Sequence, residues 1–299
     1  MILITGSSGF IGTHLSRHFL ANGVPFVGID FRPSKVSGFP LYRTDLSQVA
    51  DCFRDYDIDT VIHLAAQADV ARSTKQPQSY VQDNVVAMTK LLEECRYNRV
   101  KHFIFASSST VYGASPNVEL VEADPVGATK NVYAATKVAG ESLLHTYAHL
   151  FSMKATALRF FTVYGKGARG SMAVPTFTRK IQAHEYITLY NFGGNIRDFV
   201  HVDDIVKVLA RFAELGTPDY QFEPFNVGTG VGVSIPECVG LISERLGKKP
   251  IVLREADRLE DVSAAIPNIK KLREHLGSEY IPSVPLREGL KRTIPDATN

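Results

Sequence analysis

The sequence contains no tryptophan and only three cysteines. Cys52, Cys95 and Cys238 show no Cys-x-x-Cys spacing, and an odd number leaves one thiol over from any disulfide pairing. We therefore expect free thiols in a reducing compartment and no zinc site. The histidines show no ligand spacing either, so the sequence predicts no metal ion.

Charge of one sign and long apolar runs are also lacking. The 33 Lys and Arg residues nearly balance the 31 Asp and Glu residues, which leaves a net charge of +2. So small a charge gives no support for binding to nucleic acid or to an anionic membrane. The apolar stretches are far shorter than the ~20 residues of a membrane-spanning helix. The start of the chain indicates a strand rather than a signal peptide, so we expect a cytoplasmic protein.

The first half of the chain alternates between short β-branched runs and segments with helical periodicity. This alternation predicts βαβ units and a parallel sheet covered on both faces. Right-handed crossovers then give an α/β, doubly wound, Rossmann-like fold. The predicted strands are Ile2–Thr5, Phe26–Asp30, Thr60–Leu64, His102–Ala106 and Ala155–Phe160, and the predicted helices are Thr13–Asn22, Ser79–Asn98 and Asn131–Leu150.

After Phe160 the pattern becomes less regular. It predicts helices near residues 173–183 and 202–214, and strands near residues 187–190 and 225–227. No repeat or linker separates this part from the first, so we expect a smaller, discontinuous C-terminal lobe. The expected division is a dinucleotide-binding domain of residues 1–166 and 201–230, and a second lobe of residues 167–200 and 231–299.

A glycine-rich segment, Gly6-Ser7-Ser8-Gly9-Phe10-Ile11-Gly12, follows the first strand and opens the first helix. In this context the first glycine allows a tight turn, the second admits a pyrophosphate, and the third lets the helix pack on the strand. The N–H groups at the start of the helix, including those of Phe10 and Ile11, then face the phosphates. The spacing is G-x-x-G-x-x-G, and an ordinary strand–turn–helix junction is the alternative.

Asp30, at the end of the second strand, predicts NAD as the cofactor. A carboxylate there accepts both hydroxyls of the adenosine ribose and repels the 2′-phosphate of NADP. Arg32 and Lys35 follow closely and could neutralise such a phosphate, which leaves NADP as an alternative. Asp45 and Leu46 follow the third strand and are predicted beside the adenine; alternatively, Asp45 caps a helix.

Tyr133 and Lys137 lie four residues apart in a predicted helix and therefore share one face. A free tyrosine titrates near ~10, but a neighbouring ammonium and the positive nicotinamide favour the phenolate. Tyr133 is thus a candidate general base for a sugar hydroxyl. The run Ser107–Thr110 follows the strand that begins at His102, where a doubly wound sheet places ligands. A hydroxyl there can bridge substrate and phenol, or the run is a capped turn.

Several strings together resemble the extended short-chain dehydrogenase/reductase superfamily of NAD-dependent epimerases and dehydratases. Within that superfamily the chain most resembles the UDP-glucuronate 4-epimerases. The strings are the glycine-rich segment, His63–Gln67, Asn84, Val111–Gly113, Tyr133–Lys137, Arg159–Gly165 with Arg169 and Met172-Ala173, and Arg197–Asp204.

The resemblance implies a role for each matching residue. Ser108, Tyr133 and Lys137 match the catalytic serine, the base and the lysine that also holds the nicotinamide ribose. The implied cofactor channel is lined by Leu64, Ala65 and Ala66. The implied substrate contacts are Ser109, Thr110, Thr162 and Arg169, with Tyr190 beside the uracil and with Arg197 and Arg258 on the pyrophosphate unless these arginines are surface charges.

The implied reaction is a nucleotide-sugar 4-epimerisation, from UDP-glucuronate to UDP-galacturonate. Tyr133 takes the proton of the 4-hydroxyl, the C4 hydride passes to NAD, the 4-keto sugar turns over, and the hydride returns to the other face. Hydroxyls from Ser109, Thr110 and Thr162 would hold the uronate carboxylate away from the geometry that favours decarboxylation. The resemblance also implies a homodimer through residues 79–98 and 131–150.

Other functions remain open. The nearest is a UDP-glucose or UDP-N-acetylhexosamine 4-epimerase. Dehydratases and decarboxylases rank lower because Ser109 and Thr110 stand where those enzymes carry carboxylates. A reductase would exchange its cofactor at each turnover, and a silent NAD-sensing protein commonly lacks the tyrosine or the lysine. Asp69 replaces a glycine and would repel a uronate, and residues 166–168 replace a Pro-Trp-Gly stretch.

Overall fold

The structure is a computed structural model that describes residues 1–115, 117–256 and 264–295. Its strands are two to seven residues long. In chain order they are β1 (Ile2–Thr5), β2 (Phe26–Ile29), β3 (Leu41–Tyr42), β4 (Thr60–His63), β5 (His102–Ser108), β6 (Glu119–Leu120), β7 (Lys154–Phe160), β8 (Thr162–Tyr164), β9 (Tyr186–Leu189), β10 (Ile196–Arg197), β11 (Phe199–His201), β12 (Phe222–Val227), β13 (Val233–Ser234), β14 (Ile251–Arg254) and β15 (Ala264–Pro267).

The helices alternate with these strands in the first half of the chain. They are α1 (Phe10–Ala21), α2 (Ala50–Asp55), α3 (Val70–Lys75), α4 (Pro77–Val81), α5 (Ala87–Tyr97), α6 (Val132–Phe151), α7 (Ala173–Gln182), α8 (Val202–Glu214), α9 (Ile235–Leu246), α10 (Lys270–Leu276) and α11 (Leu286–Thr293). A π-helical turn, Gln82–Val86, joins α4 to α5, and short 3₁₀ turns cover Leu46–Gln48, Ser109–Tyr112, Asn191–Gly193 and Ser278–Tyr280.

A seven-stranded sheet has the order β12-β7-β5-β4-β1-β2-β3. The pairings of β1 with β2 and β4, of β2 with β3 and of β4 with β5 are parallel. Every residue of β2, β4 and β5 is buried, as expected for strands covered on both faces. The strand order reverses at β1, which is the switch point where doubly wound sheets bind ligands. The predicted α/β, doubly wound fold is therefore confirmed.

The predicted elements agree with the observed ones to within a few residues. The segment predicted as one helix over residues 79–98 is α4, the π-helical turn and α5. Helix α6 begins after Asn131, whose side chain accepts a hydrogen bond from the N–H of Ala134 at 2.8 Å. It ends at Ser152, which has the left-handed conformation typical of a helix end.

The chain forms two compact units. The first unit comprises Met1–Gly113, Pro125–Arg159 and Val206–Phe225. Its core is built from apolar side chains of the strands and of the helices that cover them. The fully buried members include Leu3, Val27, Val61, Leu91, Phe103, Leu144 and Ala157.

The second unit comprises Ala114–Asp124, Phe160–Ile205 and Asn226–Asn299, within the residues described. It contains a four-stranded sheet of order β13-β10-β15-β6 and two pairs of parallel strands, β8 with β11 and β9 with β14. Its own apolar core includes Tyr164, Val174, Ile187, Phe199, Cys238, Ile242 and Leu290.

Candidate active site

The glycine-rich segment forms a tight turn between β1 and α1. Gly6 has a φ of +71° and donates its N–H to the carbonyl of Ile29 at 2.8 Å. A Cβ on Gly6 would lie 2.7 Å from the backbone nitrogen of Ala65, and a Cβ on Gly12 would lie 2.2 Å from the carbonyl oxygen of Gly6. Both positions therefore require glycine, which lets the backbone of the turn pack closely against its neighbours.

Helix α1 opens directly from this turn. Gly9 is its N-cap and has no side chain to accept from the first N–H groups of the helix. Phe10 and Ile11 therefore begin the helix with backbone donors that suit an anion, and the helix dipole favours negative charge there. A dinucleotide pyrophosphate fits this donor set.

Asp30 lies immediately after β2 and is almost completely buried. Its carboxylate accepts the N–H of Ser8 at 3.1 Å and the N–H of Arg32 at 2.9 Å. It also accepts two bonds from the Arg32 guanidinium, at 3.2 Å and 3.3 Å. The predicted ribose acceptor is thus fixed beside the glycine-rich segment, and Arg32 is its ion-pair partner.

Asp45 caps the short 3₁₀ turn that begins at Leu46. One carboxylate oxygen accepts the N–H of Ser47 at 2.7 Å. The hydrogen bonds from Ser47 lower the pKa of Asp45 below its ordinary value. The structure thus shows the capping alternative. A contact between Asp45 or the buried Leu46 and an adenine stays a prediction.

The segment after β4 is tied to β1. Leu64 donates its N–H to the carbonyl of Thr5 at 3.1 Å, and Ala65 donates its N–H to the Thr5 hydroxyl at 3.2 Å. Ala66 is exposed, whereas Leu64 and Ala65 are half-buried. Small and apolar residues are therefore held at the carboxyl ends of two neighbouring central strands, where a nucleotide would bind.

His63, at the end of β4, is buried and pairs its Nδ1 with the Thr5 hydroxyl at 2.7 Å. Its ring stacks on that of Phe105. Burial, helped by the nearby Lys137 ammonium, lowers the pKa of His63 to about 3. The ring is therefore neutral at ordinary pH and serves as a packed, hydrogen-bonded neighbour of Lys137.

Asn84 connects the segment after β4 to helix α6. Its side-chain oxygen accepts the N–H of Gln67, and its amide donates to the Gln67 carbonyl, both at 2.8 Å. The same amide donates to the Thr136 hydroxyl at 3.0 Å, and Thr136 donates to the Tyr133 carbonyl at 2.7 Å. Asn84 lies in the π-helical turn, a feature found frequently at functional sites.

Tyr133 and Lys137 lie on adjacent turns of α6, as the spacing predicted. The Lys137 ammonium nitrogen is 5.8 Å from the centre of the Tyr133 ring and 4.6 Å from that of Phe105. It donates to the carbonyl oxygen of Ala106 at 2.7 Å, two residues before Ser108. The structure therefore brings the phenol, the ammonium and the end of β5 together in the first unit.

Lys137 is buried, and burial lowers its pKa from 10.5 to about 7. The carboxylate of Glu141, one turn further along α6, acts in the opposite direction. An ammonium with such a pKa gains or loses its proton close to neutral pH.

Ser108 ends β5 and begins a 3₁₀ turn. Its hydroxyl oxygen accepts from the N–H of Thr110 at 3.3 Å and from the Thr110 hydroxyl at 3.0 Å. Ser109 and Thr110 are half-buried. The capped turn considered for this run is thus present. It also fixes the hydroxyl that we expect to bridge substrate and phenol.

A buried ionic network lies beside Tyr133 and Lys137 and was not predicted from the sequence. The Arg159 guanidinium makes two hydrogen bonds to the Glu141 carboxylate, at 3.0 Å and 2.8 Å. Glu141 also accepts from the Ser107 hydroxyl, and Arg159 donates to the Tyr112 hydroxyl at 3.0 Å. An arginine in a mostly apolar strand and a glutamate one turn after Lys137 are the signals that could have indicated it.

In the second unit, Thr162 and Arg197 lie on strands. Thr162 donates its N–H to the carbonyl of Asp198 at 2.9 Å, next to Arg197. Arg197 is half-buried and donates to the carbonyl of Ile196 at 2.8 Å. Asp198 is buried and holds the backbone after β12 by accepting from Thr229 and Val231 at 2.9–3.1 Å.

The other substrate candidates lie in loops. Arg169 is exposed and accepts the N–H of Met172 on its carbonyl at 2.9 Å. Tyr190 is half-buried and precedes the 3₁₀ turn over Asn191–Gly193. Arg258 lies outside the described residues, so its position is not assigned.

The Asp69 carboxylate also has a structural function. It caps α3 by accepting the N–H of Arg72 at 3.0 Å, while the Asp69 backbone N–H and carbonyl both bond to the Tyr80 hydroxyl. A negative charge is favourable at a helix N-terminus. The residue that replaces the expected glycine therefore stabilises local structure.

Comparison with known proteins identifies the family. A family model described as the NAD dependent epimerase/dehydratase family matches residues 2–228. UDP-glucuronate 4-epimerase 4 of Arabidopsis thaliana is 33% identical, over 98% of this chain and 74% of its own. Both the predicted family and the prediction of an NAD-dependent enzyme are confirmed.

Solved structures agree with this assignment. MoeE5 in complex with UDP-glucuronic acid and NAD has a TM-score of 0.89 and 34% identity, with 98% of this chain and 97% of that chain covered. UDP-glucuronic acid 4-epimerase of Bacillus cereus, in complex with UDP-glucuronic acid and NAD, has a TM-score of 0.87 and 29% identity, with 97% and 96% covered. The chain therefore belongs to the NAD dependent epimerase/dehydratase family.

Proposed function

We propose that the protein is a UDP-sugar 4-epimerase that converts UDP-glucuronate to UDP-galacturonate with bound NAD. The observation that carries this proposal is the Tyr133–Lys137 pair on α6, with the ammonium 2.7 Å from the Ala106 carbonyl near the end of β5. The names of similar proteins and the ligands in similar structures support the substrate class.

In this proposal the first unit performs the chemistry. Its glycine-rich turn, the Asp30 carboxylate and Lys137 hold NAD, which when bound accepts the C4 hydride and gives it back. Tyr133 takes the proton from the 4-hydroxyl as that hydride leaves, and returns a proton when it comes back. Ser108 orients the hydroxyl group, and the Lys137 ammonium favours the phenolate form of Tyr133.

The second unit supplies substrate recognition in this proposal. Arg197 and Arg169 would pair with the phosphates of UDP, because guanidinium groups match phosphate oxygens in geometry and charge. Tyr190 would contact the uracil. Binding energy held mainly in the UDP part leaves the hexose free to turn over between the two hydride transfers.

A uronate adds one requirement. Its 4-keto form is a β-keto acid, which loses carbon dioxide when the carboxylate bond stands perpendicular to the ketone plane. Hydroxyls of Ser109, Thr110 and Thr162 would hold the carboxylate near that plane by hydrogen bonds. Side chains without acid–base character near neutral pH suit this task because they bind the carboxylate without moving a proton at C5.

The second candidate function is UDP-glucose 4-epimerisation by the same steps. It is favoured by the structure of MoeE5 in complex with UDP-glucose and NAD, which has a TM-score of 0.90 with this chain. The two candidates differ at one substituent, the carboxylate or hydroxymethyl group on C5. Tyr133, Lys137 and Ser108 would act at C4 in the same way on both sugars.

One experiment separates these candidates. The purified protein is incubated with UDP-glucuronate, UDP-glucose or UDP-N-acetylglucosamine without added cofactor, and the C4 epimer is followed by NMR. We expect turnover of UDP-glucuronate to exceed that of the neutral sugars. Turnover that requires added NAD and accumulates NADH would instead indicate a net oxidoreductase.

We also propose a homodimer in which each protomer contributes two long helical segments, α4–α5 and α6. These pack against their copies in the partner as a four-helix bundle. These elements expose apolar side chains, and Arg96 lies over the rings of Tyr97 and Phe151 at 4.4 Å and 4.7 Å. Sedimentation of the parent and of a Leu150→Asp variant tests this, since the variant should be monomeric. The exposed residues are Val81, Val86, Tyr97, Leu150 and Phe151.

We propose a cytoplasmic location. Cys52, Cys95 and Cys238 are buried free thiols, whose pKa values burial raises, as suits structural thiols in a reducing compartment. Among the described residues, the helices are too short or too polar to cross a membrane. Fractionation of the native host tests the location, and recovery with the membrane pellet would contradict it.

A further inference from the structure

The ion pair between Arg32 and Asp30 bears on which dinucleotide the protein accepts. A carboxylate offers about four acceptor positions. Those of Asp30 receive the N–H groups of Ser8 and Arg32 and two N–H groups of the Arg32 guanidinium. The two backbone donors are fixed by the turn, whereas the guanidinium belongs to a half-exposed side chain that can move.

The two possible cofactors make different demands on this pair. The ribose diol of NAD needs two acceptor positions on Asp30, which are those that the guanidinium occupies. A 2′-phosphate replaces one of these hydroxyls by an anion, which an unpaired carboxylate repels and a guanidinium binds in a bidentate manner. The same side chain thus competes with the diol of NAD and complements the phosphate of NADP.

We propose that Arg32 broadens cofactor selection, so that the protein binds NADP(H) as well as NAD(H). With NAD the guanidinium leaves Asp30 and rests over the exposed ring of Phe31, above which it already lies at 5.3 Å. With NADP it stays beside Asp30, neutralises that carboxylate and holds the 2′-phosphate. This inference goes beyond epimerisation, which NAD alone supports.

Equilibrium binding of NADH and NADPH to nucleotide-depleted, full-length protein tests the proposal. Since the chain has no tryptophan, the fluorescence of the reduced nicotinamide is the signal. We expect the two dissociation constants of the parent to lie within about tenfold of each other. Arg32→Ala should weaken NADPH about ten- to a hundredfold, the usual range for a lost hydrogen-bonded charge pair, and leave NADH unchanged or tighter.

Arg17→Ala is the matched control. Arg17 is an exposed arginine of α1, and its removal changes the net charge equally without touching Asp30. Its ratio of NADPH to NADH dissociation constants should equal that of the parent. An unchanged ratio in Arg32→Ala, or a parent that does not bind NADPH, would overturn the inference. Neither result would bear on epimerisation with NAD, which is measured separately by sugar turnover.

Discussion

The residues proposed for catalysis in the first unit and the substrate candidates of the second unit differ in how deeply they are buried. Lys137, Ser108 and Asp30 are buried, and their polar atoms are engaged by neighbouring backbone or side chains. Arg169 is exposed, while Thr162 and Arg197 are half-buried. Reacting groups must keep one geometry through every turnover, whereas groups that grip a flexible diphosphate need not.

This difference leads to separate expectations for the residues proposed for catalysis and for those proposed for substrate binding. In the first unit a change of one residue alters a packed network, so reaction chemistry and folding are linked. Arg169, Thr162 and Arg197 in the second unit are exposed or half-buried, so we expect their replacement to have little effect on folding. We therefore expect variants of the first unit to lose rate or stability, and variants of the second unit to change affinity or product distribution.

The largest expected effect follows removal of the Tyr133 hydroxyl. A positioned general base contributes about 10²- to 10⁴-fold to a rate, so Tyr133→Phe should lower kcat by that factor, with bound NAD retained. Tyr147→Phe, a change on the same helix that removes a hydroxyl bonded to Glu93, should stay close to the parent rate. Sugar turnover by NMR and nucleotide content by absorbance give the two readouts.

The next largest effect is the loss of unfolding free energy when a buried ion pair is broken, compared with the loss for an exposed pair. Arg159→Met leaves the Glu141 carboxylate buried without its cation, so the free energy of unfolding should fall by about 3–5 kcal/mol. Arg179→Met breaks the exposed pair with Glu185 in the second unit and should cost less than about 1 kcal/mol. Urea unfolding measures both, and equal losses would abolish the contrast between the units.

The pH dependence of stability should report the buried Lys137. Its pKa in the folded chain, about 7, is lower than in the unfolded chain. Between about pH 7 and pH 10 this residue binds more protons in the unfolded chain than in the folded chain. Its contribution to the free energy of unfolding therefore rises with pH. Lys137→Met removes a charge whose burial is costly near pH 6 and largely neutralised near pH 10. The gain in the free energy of unfolding over the parent, measured by urea unfolding, should therefore be larger near pH 6 than near pH 10. An equal difference at both values would show that Lys137 is not desolvated.

The smallest effect concerns product distribution. Thr162→Val keeps the backbone bond to Asp198 and removes only the hydroxyl, so folding should be unaffected. With UDP-glucuronate as substrate, the share of decarboxylated pentose should rise several-fold, as expected for one lost hydrogen bond. Thr188→Val, a matched change on β9, should leave the product ratio unchanged, and an unchanged ratio in Thr162→Val would exclude this role.

Much of the first unit was predictable because its signals are local. Strand and helix periods, the glycine-rich segment and the four-residue spacing of Tyr133 and Lys137 each depend on neighbours in sequence. The ion pair of Glu141 with Arg159, 18 residues apart, depends on how α6 packs against the sheet, and the sequence shows the two charged residues without showing that they pair.

Sequence-based prediction also fails at residues that could serve either of two functions. Asp45 and Ser108 cap turns in the structure, and the same atoms are predicted to bind ligand. A capping residue and a ligand-binding residue share one chemistry, so sequence cannot separate the two functions. In the second unit the predicted contacts of Arg169 and Tyr190 depend on loop conformation, which periodicity does not determine.

The most direct test of the account follows deuterium at C4 of the sugar. UDP-glucuronate labelled at C4 is converted by the parent protein in ordinary water, and the product is examined by NMR and mass spectrometry. If oxidation at C4 is transient and the hydride returns to the same carbon, the UDP-galacturonate formed will keep its deuterium at C4. Loss of the label to solvent, or its appearance at another carbon, would contradict transient C4 oxidation.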